Sequence, residues 1–280
     1  MRRPTDLLSA ALMHATARFT VRYGEELRFA GTDLPAPRRH RVPTRHGRIP
    51  VHVYGDLGAP SVVHFHGGAW LMRHPAMDDF WCRYLAAEAG CAVVNVDFRT
   101  APYVTYPVAQ EQCHDAAAWV AEQGGPVAVS GLSSGGGNAA ATCLQARDLG
   151  SFTPVLQVLG VPALDLASDL PTGPGMISPQ LRALVRRVYF PDAARRSEPY
   201  ASPVLAPDLT GLPPAVVMVA ERDTLRPDGE RYAARLREAG VPVTLHLTPG
   251  ADHYWLSHDL ALARETMAMV AGEVRRALGT

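Results

Sequence analysis

The stretch "VAVSGLSSGGGNAAA", Val127 to Ala141, decides the fold. A short apolar run leads into two adjacent serines and a cluster of glycines, and an alanine-rich run follows. The G-x-S-x-G frame needs glycine two residues before and two residues after its serine. Ser133 has Gly131 and Gly135, whereas Ser134 would need glycine where Leu132 stands. Ser133 is therefore the serine that fits. On a tight strand-to-helix turn the serine takes strained dihedrals, and side chains at the flanking positions would collide with neighbouring backbone. Val127–Ser130 predicts the incoming strand and Ser134–Leu149 the outgoing helix. The hydroxyl then lies near a helix N-terminus, whose free N–H groups and dipole favour a developing negative charge.

Outward from this turn, β-like and helical runs alternate. Strands are predicted at Val51–Tyr54, Val62–His66, Ala92–Asp97, Val155–Leu159, Ala215–Ala220 and Val243–Leu247. Helices are predicted at Asp78–Ala89, Val108–Gln123, Pro227–Ala239 and Asp259–Ala277, and Gly90, Gly150 and Gly240 fall where helix-ending glycines belong. Such alternation predicts an α/β fold with a mostly parallel central sheet flanked by helices. Two regions break the rhythm: residues 1–45, punctuated by Arg and Pro, and a proline-rich insertion at about 166–213 that contains a helical stretch near Gln180–Tyr189. Insertions of this kind often cover a site.

Composition narrows the chemistry. At 280 residues, 47% hydrophobic and 19% charged, the chain can bury a sizeable core and is no disordered polymer. Its 27 acids balance 27 bases, which leaves no electrostatic footprint for nucleic acid or an anionic membrane. Every base is arginine. Without lysine there is no Schiff-base, pyridoxal-phosphate or phosphate-loop chemistry. Cys82, Cys91, Cys113 and Cys143 form no C-x-x-C pair and read as reduced, buried thiols. Arg2, Arg3 and the apolar Leu7–Met13 imitate a signal peptide. Asp6 abuts that run, and Leu7, Leu8, Ala11, Leu12 and Ala15 share one face at helical spacing, so an amphipathic helix and a cytoplasmic location are expected. No run approaches membrane-spanning length.

"VVHFHGGAW", Val62 to Trp70, also leaves a strand and enters a glycine turn. Such a loop can present backbone N–H groups to an oxyanion opposite Ser133. The donors are read as Gly68 and Ala69, joined by Ser134, with Gly67 a further candidate. His64 and His66 share a strand face, but no third metal ligand is evident nearby, and His66 is expected to brace the loop. An activated serine needs a base and an orienting acid. Asp223, just past the strand ending at Ala220, is the expected acid. Its rivals are Glu221, Asp228 and Asp252. His253, in the loop after Gly250, is the expected base, ahead of His246 and His258.

Taken together, "HGGAW", "VDFRTAP", "GLSSGG", "AERDTLRPDGERYAARLREAGVPV" and "GADHYW" resemble, in order and spacing, the hormone-sensitive-lipase-like esterases of the α/β-hydrolase fold. The resemblance runs from about residue 45 to the C-terminus. It implies carboxylic ester hydrolysis by Ser133, Asp223 and His253, a small helical cap built from the N-terminal segment and the 166–213 insertion, a small-molecule ester as substrate, and no cofactor. The chain departs from the family pattern at Leu132, Ser134, Ala69, Tyr103 and Gln112, and Leu132 would make the acyl side of the pocket more apolar. Two other readings stand beside hydrolysis: acyl transfer or cyclisation in a biosynthetic pathway, and ligand binding on the same scaffold. A homodimer is compatible with the sequence, which sets no oligomeric state.

Overall fold

A computed structural model of the chain describes residues 3–169 and 175–280. Arg2 of the N-terminal basic pair and residues 170–174 of the 166–213 insertion lie outside them. The apolar runs become strands of one sheet: β1 (Arg38–Val42), β2 (Ile49–Tyr54), β3 (Ser61–Phe65), β4 (Ala92–Val96), β5 (Val127–Leu132), β6 (Leu156–Gly160), β7 (Ala215–Ala220) and β8 (Val243–Thr248). Their order across the sheet is β1-β2-β4-β3-β5-β6-β7-β8. β2 runs antiparallel to β1 and β4, and every pairing from β4 to β8 is parallel.

Helices cover both faces: α1 (Pro4–Thr20), α2 (Asp79–Glu88), α3 (Val108–Glu122), α4 (Ser134–Leu149), α5 (Pro179–Val188), α6 (Arg226–Glu238) and α7 (Leu260–Leu278). Side chains alternate across the pleat. Val63, Phe65, Val217 and Val219 enter a core with α3, α4 and α6, whereas Val62, Val216 and Met218 enter a core with α2 and α7. Gly90, Gly150 and Gly240 all take positive φ at helix ends, as their positions predict. The four cysteines are free and buried. Among the described residues no helix is long and apolar enough to cross a membrane.

Two local differences from the sequence reading have physical causes. Residues 38–42, "RRHRV", have no apolar strand pattern, yet they pair with β2 as an edge strand in which only Val42 is buried. An edge strand needs no second covered face, and its arginines blunt the open edge. In α1 the buried positions are Asp6, Ala10 and Ala17, while Leu8 and Leu12 are 72% and 62% exposed. The face expected to turn inward is rotated outward because Asp6 pairs with Arg187 of α5, through contacts of 2.7 and 3.0 Å.

The parallel strands β3, β5, β7 and β8 all end at one rim of the sheet. Residues 66–70, Ser133, 221–225 and 249–255 follow them there, the place where open α/β sheets bind ligands. The close approach of β3, β5 and α4 at this rim is glycine-dependent. A Cβ on Gly131 would overlap the Gly135 carbonyl, and one on Gly135 would overlap the carbonyls of Phe65 and His66. Gly272, in the middle of α7, has open space around its Cα and no positive φ. Gly135→Ala should therefore cost roughly 3 kcal/mol or more, whereas Gly272→Ala should raise Tm by about 2 °C. Thermal unfolding of the two variants checks both the crowding at the rim and its absence in α7.

Candidate active site

Ser133 stands between β5 and α4 at φ 56° and ψ −118°, a conformation that costs a non-glycine residue of order 1–3 kcal/mol. The turn is held from both sides: its N–H donates to the Gly160 carbonyl at 2.8 Å, and its carbonyl accepts the Ala163 N–H at 3.1 Å. Strain at this position is thus imposed by β6 and the chain following it.

The chain brings His253 and Asp223 to this hydroxyl. His253 Nε2 lies 2.9 Å from Ser133 Oγ, and its Nδ1 lies 2.8 Å from Asp223 Oδ2. Asp223 Oδ1 accepts the Leu225 N–H at 3.0 Å, which fixes the carboxylate in the turn after β7. The two side chains are 6% and 1% exposed. A carboxylate at Nδ1 accepts its proton, so Nε2 is left as an acceptor for the serine hydroxyl.

Each rival residue is committed elsewhere. Glu221 accepts the Gly250 N–H at 2.5 Å. Asp252 accepts the N–H of His253 itself at 2.7 Å and that of Met176 at 3.0 Å, so it ties the His253 loop to the segment before α5. Asp228 accepts the N–H groups of Leu164 and Asp165, each at 3.0 Å, and burial pushes its carboxyl up to about 6. Its place in the first turn of α6 serves that contact. His246 meets the Thr266 hydroxyl at 3.1 Å, and His258 lies beside Gly250.

The loop after β3 carries three successive left-handed residues, Gly68, Ala69 and Trp70, at φ 109°, 55° and 55°. A Cβ on Gly68 would stand 2.7 Å from the Met72 carbonyl oxygen, which explains the glycine. The N–H groups of Gly68 and Ala69 meet no acceptor among the described residues. Ser134 opens α4, where N–H groups have no intrahelical partner. Gly67 differs from the expectation: its N–H donates to Asp78 Oδ2 at 3.1 Å and so is not free for an oxyanion.

That Asp78 oxygen also accepts from His64 Nε2 at 3.0 Å. His64 Nδ1 lies 3.2 Å from Ser130 Oγ, which accepts the Trp81 Nε1–H at 3.2 Å. The two histidines of "HFH" therefore join different structures. His66 donates Nδ1–H to the Gly67 carbonyl at 2.7 Å and stacks on Phe98 at 4.4 Å. Burial holds it down to about 4, so the ring is neutral, and no partner meets its Nε2.

Two cavities meet at Ser133. The larger, about 130 Å³, is lined by His253, Leu132, Val161, Tyr23, Met176 and Tyr254 among others. The smaller, about 30 Å³, is lined by Ser134, Trp70, Leu166, Arg182, Val185 and Leu225 among others. Ala69, Ile177 and Leu181 border both. Tyr23 and Tyr254 stack at 4.5 Å in the larger one. The sequence reading missed Tyr23, Met176, Arg182 and Tyr254, since nothing in a local pattern marks a cavity wall. Of the departures from the family pattern, Leu132 faces the larger cavity, Gln112 accepts the Arg99 N–H at 2.9 Å, Tyr103 is 71% exposed, and the buried Ser134 hydroxyl has no partner.

Comparison with known proteins places this geometry. Residues 62–257 match the family described as alpha/beta hydrolase fold. An arylesterase of Saccharolobus solfataricus is 34% identical over 233 residues, 74% of this chain and 73% of that protein. The esterase LipI of Mycobacterium tuberculosis is 35% identical over 229 residues, 77% of this chain and 72% of that protein. Among solved structures, an esterase of Pyrobaculum calidifontis superposes with a TM-score of 0.82 at 32% identity, covering 98% of this chain and 91% of its own. The thermostable carboxylesterase EstE1, cloned from a metagenomic library, gives 0.84 at 28% identity, covering 98% and 97%.

The buried His66 makes a signed prediction. Its folded-state value lies below the ordinary value of 6.5, so the unfolded chain binds the extra proton and His66 costs stability as pH falls from about 6.5 toward 4. Asn at this position keeps a donor for the Gly67 carbonyl and does not titrate. The stability difference between wild type and His66→Asn should therefore shift in favour of the variant by about 2 kcal/mol between pH 7 and pH 4.5. Because it is a difference of differences, it is insensitive to the opposite contribution of Asp228. Denaturant unfolding at both pH values measures it.

Proposed function

The chain belongs to the α/β-hydrolase fold family, as a carboxylesterase of the hormone-sensitive-lipase-like kind, and from that premise we propose that Ser133, His253 and Asp223 carry out ester hydrolysis through an acyl-enzyme. The observation that carries this is the pair of contacts from one imidazole, 2.9 Å to Ser133 Oγ and 2.8 Å to Asp223 Oδ2.

In the first half, His253 Nε2 takes the Ser133 proton as Oγ bonds to the ester carbonyl carbon. Asp223 holds the ring in the Nδ1–H tautomer and stabilises the imidazolium. The carbonyl oxygen gathers charge facing the N–H groups of Gly68, Ala69 and Ser134, which are fixed before substrate arrives. His253 then protonates the departing alkoxide as the C–O bond breaks. In the second half a water molecule takes the place of the alcohol and frees the acid.

This sequence orients the substrate. The leaving alcohol must lie where His253 can protonate it, and His253 lines the larger cavity but not the smaller. The alcohol group thus occupies the larger cavity and the acyl chain the smaller, which supports short acyl chains. Leu132 then borders the alcohol side rather than the acyl side first expected. Tyr23 of the N-terminal segment and Met176, Ile177 and Leu181 of the insertion roof the site, and together these two segments act as its cap. A ligand-binding scaffold would have no use for three side chains in bonding reach.

Ser133→Ala should abolish hydrolysis of p-nitrophenyl acetate, and Asp223→Asn should lower kcat by about 10⁴. Ser134→Ala keeps the backbone N–H and should lose only a small factor. Acyl chains of octanoyl length should be poorer substrates than acetyl. Steady-state kinetics on purified variants decide this; full activity in Ser133→Ala would defeat the assignment.

A further inference from the structure

Arg182 is a charged side chain in the wall of the smaller cavity that the reaction described above does not use. It sits on α5, is 5% exposed, and donates from Nη2 to the Ser168 carbonyl at 2.8 Å. Its Nε is buried without an acceptor. Among the described residues no carboxylate pairs with it. Asp165 is bound by Arg231 at 3.0 Å and by the N–H groups of Ala167 and Ser168, Asp169 is bound by Arg186 at 2.7 Å, and Asp228 is bound by the N–H groups of Leu164 and Asp165. Burial lowers the affinity of this guanidinium for its proton, but an arginine stays charged in a protein. A buried cation with an open N–H is unfavourable until an anion reaches it, and the guanidinium fork matches a carboxylate.

The other walls of this cavity, Trp70, Ala163, Leu166, Val185 and Leu225, are apolar. Nothing in them would orient a simple alkyl chain, and a lone guanidinium there serves an alkyl chain poorly. We propose, resting on the reading of Ser133 and His253 above, that Arg182 is a specificity residue for an anionic acyl group, and that the substrates are half-esters of short dicarboxylic acids. The acyl chain carries its free carboxylate to Arg182 while its ester carbonyl stands at Ser133. A cavity of about 30 Å³ holds on the order of two water-sized groups, room for a carboxylate on a short methylene spacer. Hydrolysis then returns the free diacid and the alcohol, with water supplying the proton and hydroxyl that complete them. The low dielectric around Arg182 strengthens its hold on the charged substrate and leaves a neutral one without a partner for the open donor.

The test compares monoethyl succinate with ethyl levulinate, in which a methyl ketone replaces the carboxylate at nearly the same size. Turnover is followed by product chromatography on the full chain. Wild type should show a kcat/KM at least about tenfold higher for the half-ester. Arg182→Met should lower the half-ester at least tenfold more than the ketone, and Arg182→Lys should keep part of the preference. Equal rates on the two esters in wild type, or an unchanged ratio in Arg182→Met, would overturn the assignment. The wild-type ratio needs no variant to fold. Turnover of ethyl levulinate separates the two readings: if it proceeds without a preference for the half-ester, only the role of Arg182 falls, whereas inertness toward both esters and toward p-nitrophenyl acetate would remove the hydrolase reading beneath it.

Discussion

The close contact of three backbone segments governs this molecule. The ends of β3 and β5 and the first turn of α4 approach so closely that neither Gly131 nor Gly135 leaves room for a single carbon. That approach forces Ser133 to positive φ and turns its side chain out of the sheet rim. The same crowding brings the loop after β3 over the N-terminus of α4. Ala69, Trp70, Ser133 and Val161 are the described non-glycine residues with positive φ, and each lines one of the two cavities at Ser133. Backbone strain is concentrated where substrate would lie, and the cores on both faces of the sheet hold it there.

Around that fixed hydroxyl, polar groups are arranged so that each has one task. Asp223 is anchored by the Leu225 N–H and faces His253; Asp252 anchors the loop that carries His253; Glu221 anchors Gly250. Asp78 removes the Gly67 N–H from the site and so leaves Gly68 and Ala69 as the donors. The acids near the site differ in what they accept from, and that difference sets which one can orient the imidazole.

How much was legible in the sequence follows from the range of the forces involved. The frame Gly131-x-Ser133-x-Gly135 was readable because its constraint is steric and local. His253 and Asp223 were readable because parallel strands end at a common rim, so a residue just past a strand is placed by topology. The capture of the Gly67 N–H was not readable, because Asp78 reaches it from the start of α2. Nor was the orientation of α1, which depends on a charge pair with a helix far along the chain, or β1, whose arginines imitate a loop. Tyr23, Met176 and Arg182 come from segments distant in sequence, and only tertiary placement makes them walls of a site. The family pattern guided the reading of the machinery and was silent on Arg182.

The central claim is that Ser133, activated by His253, is the nucleophile. The most direct test is reaction of the purified chain with a serine-directed alkyl phosphonate, followed by mass spectrometry of the peptides. The account predicts one adduct per chain, on Ser133, with loss of esterase activity in step with labelling. Labelling at Ser134 or elsewhere, or retention of full activity by a chain labelled at Ser133, would contradict it.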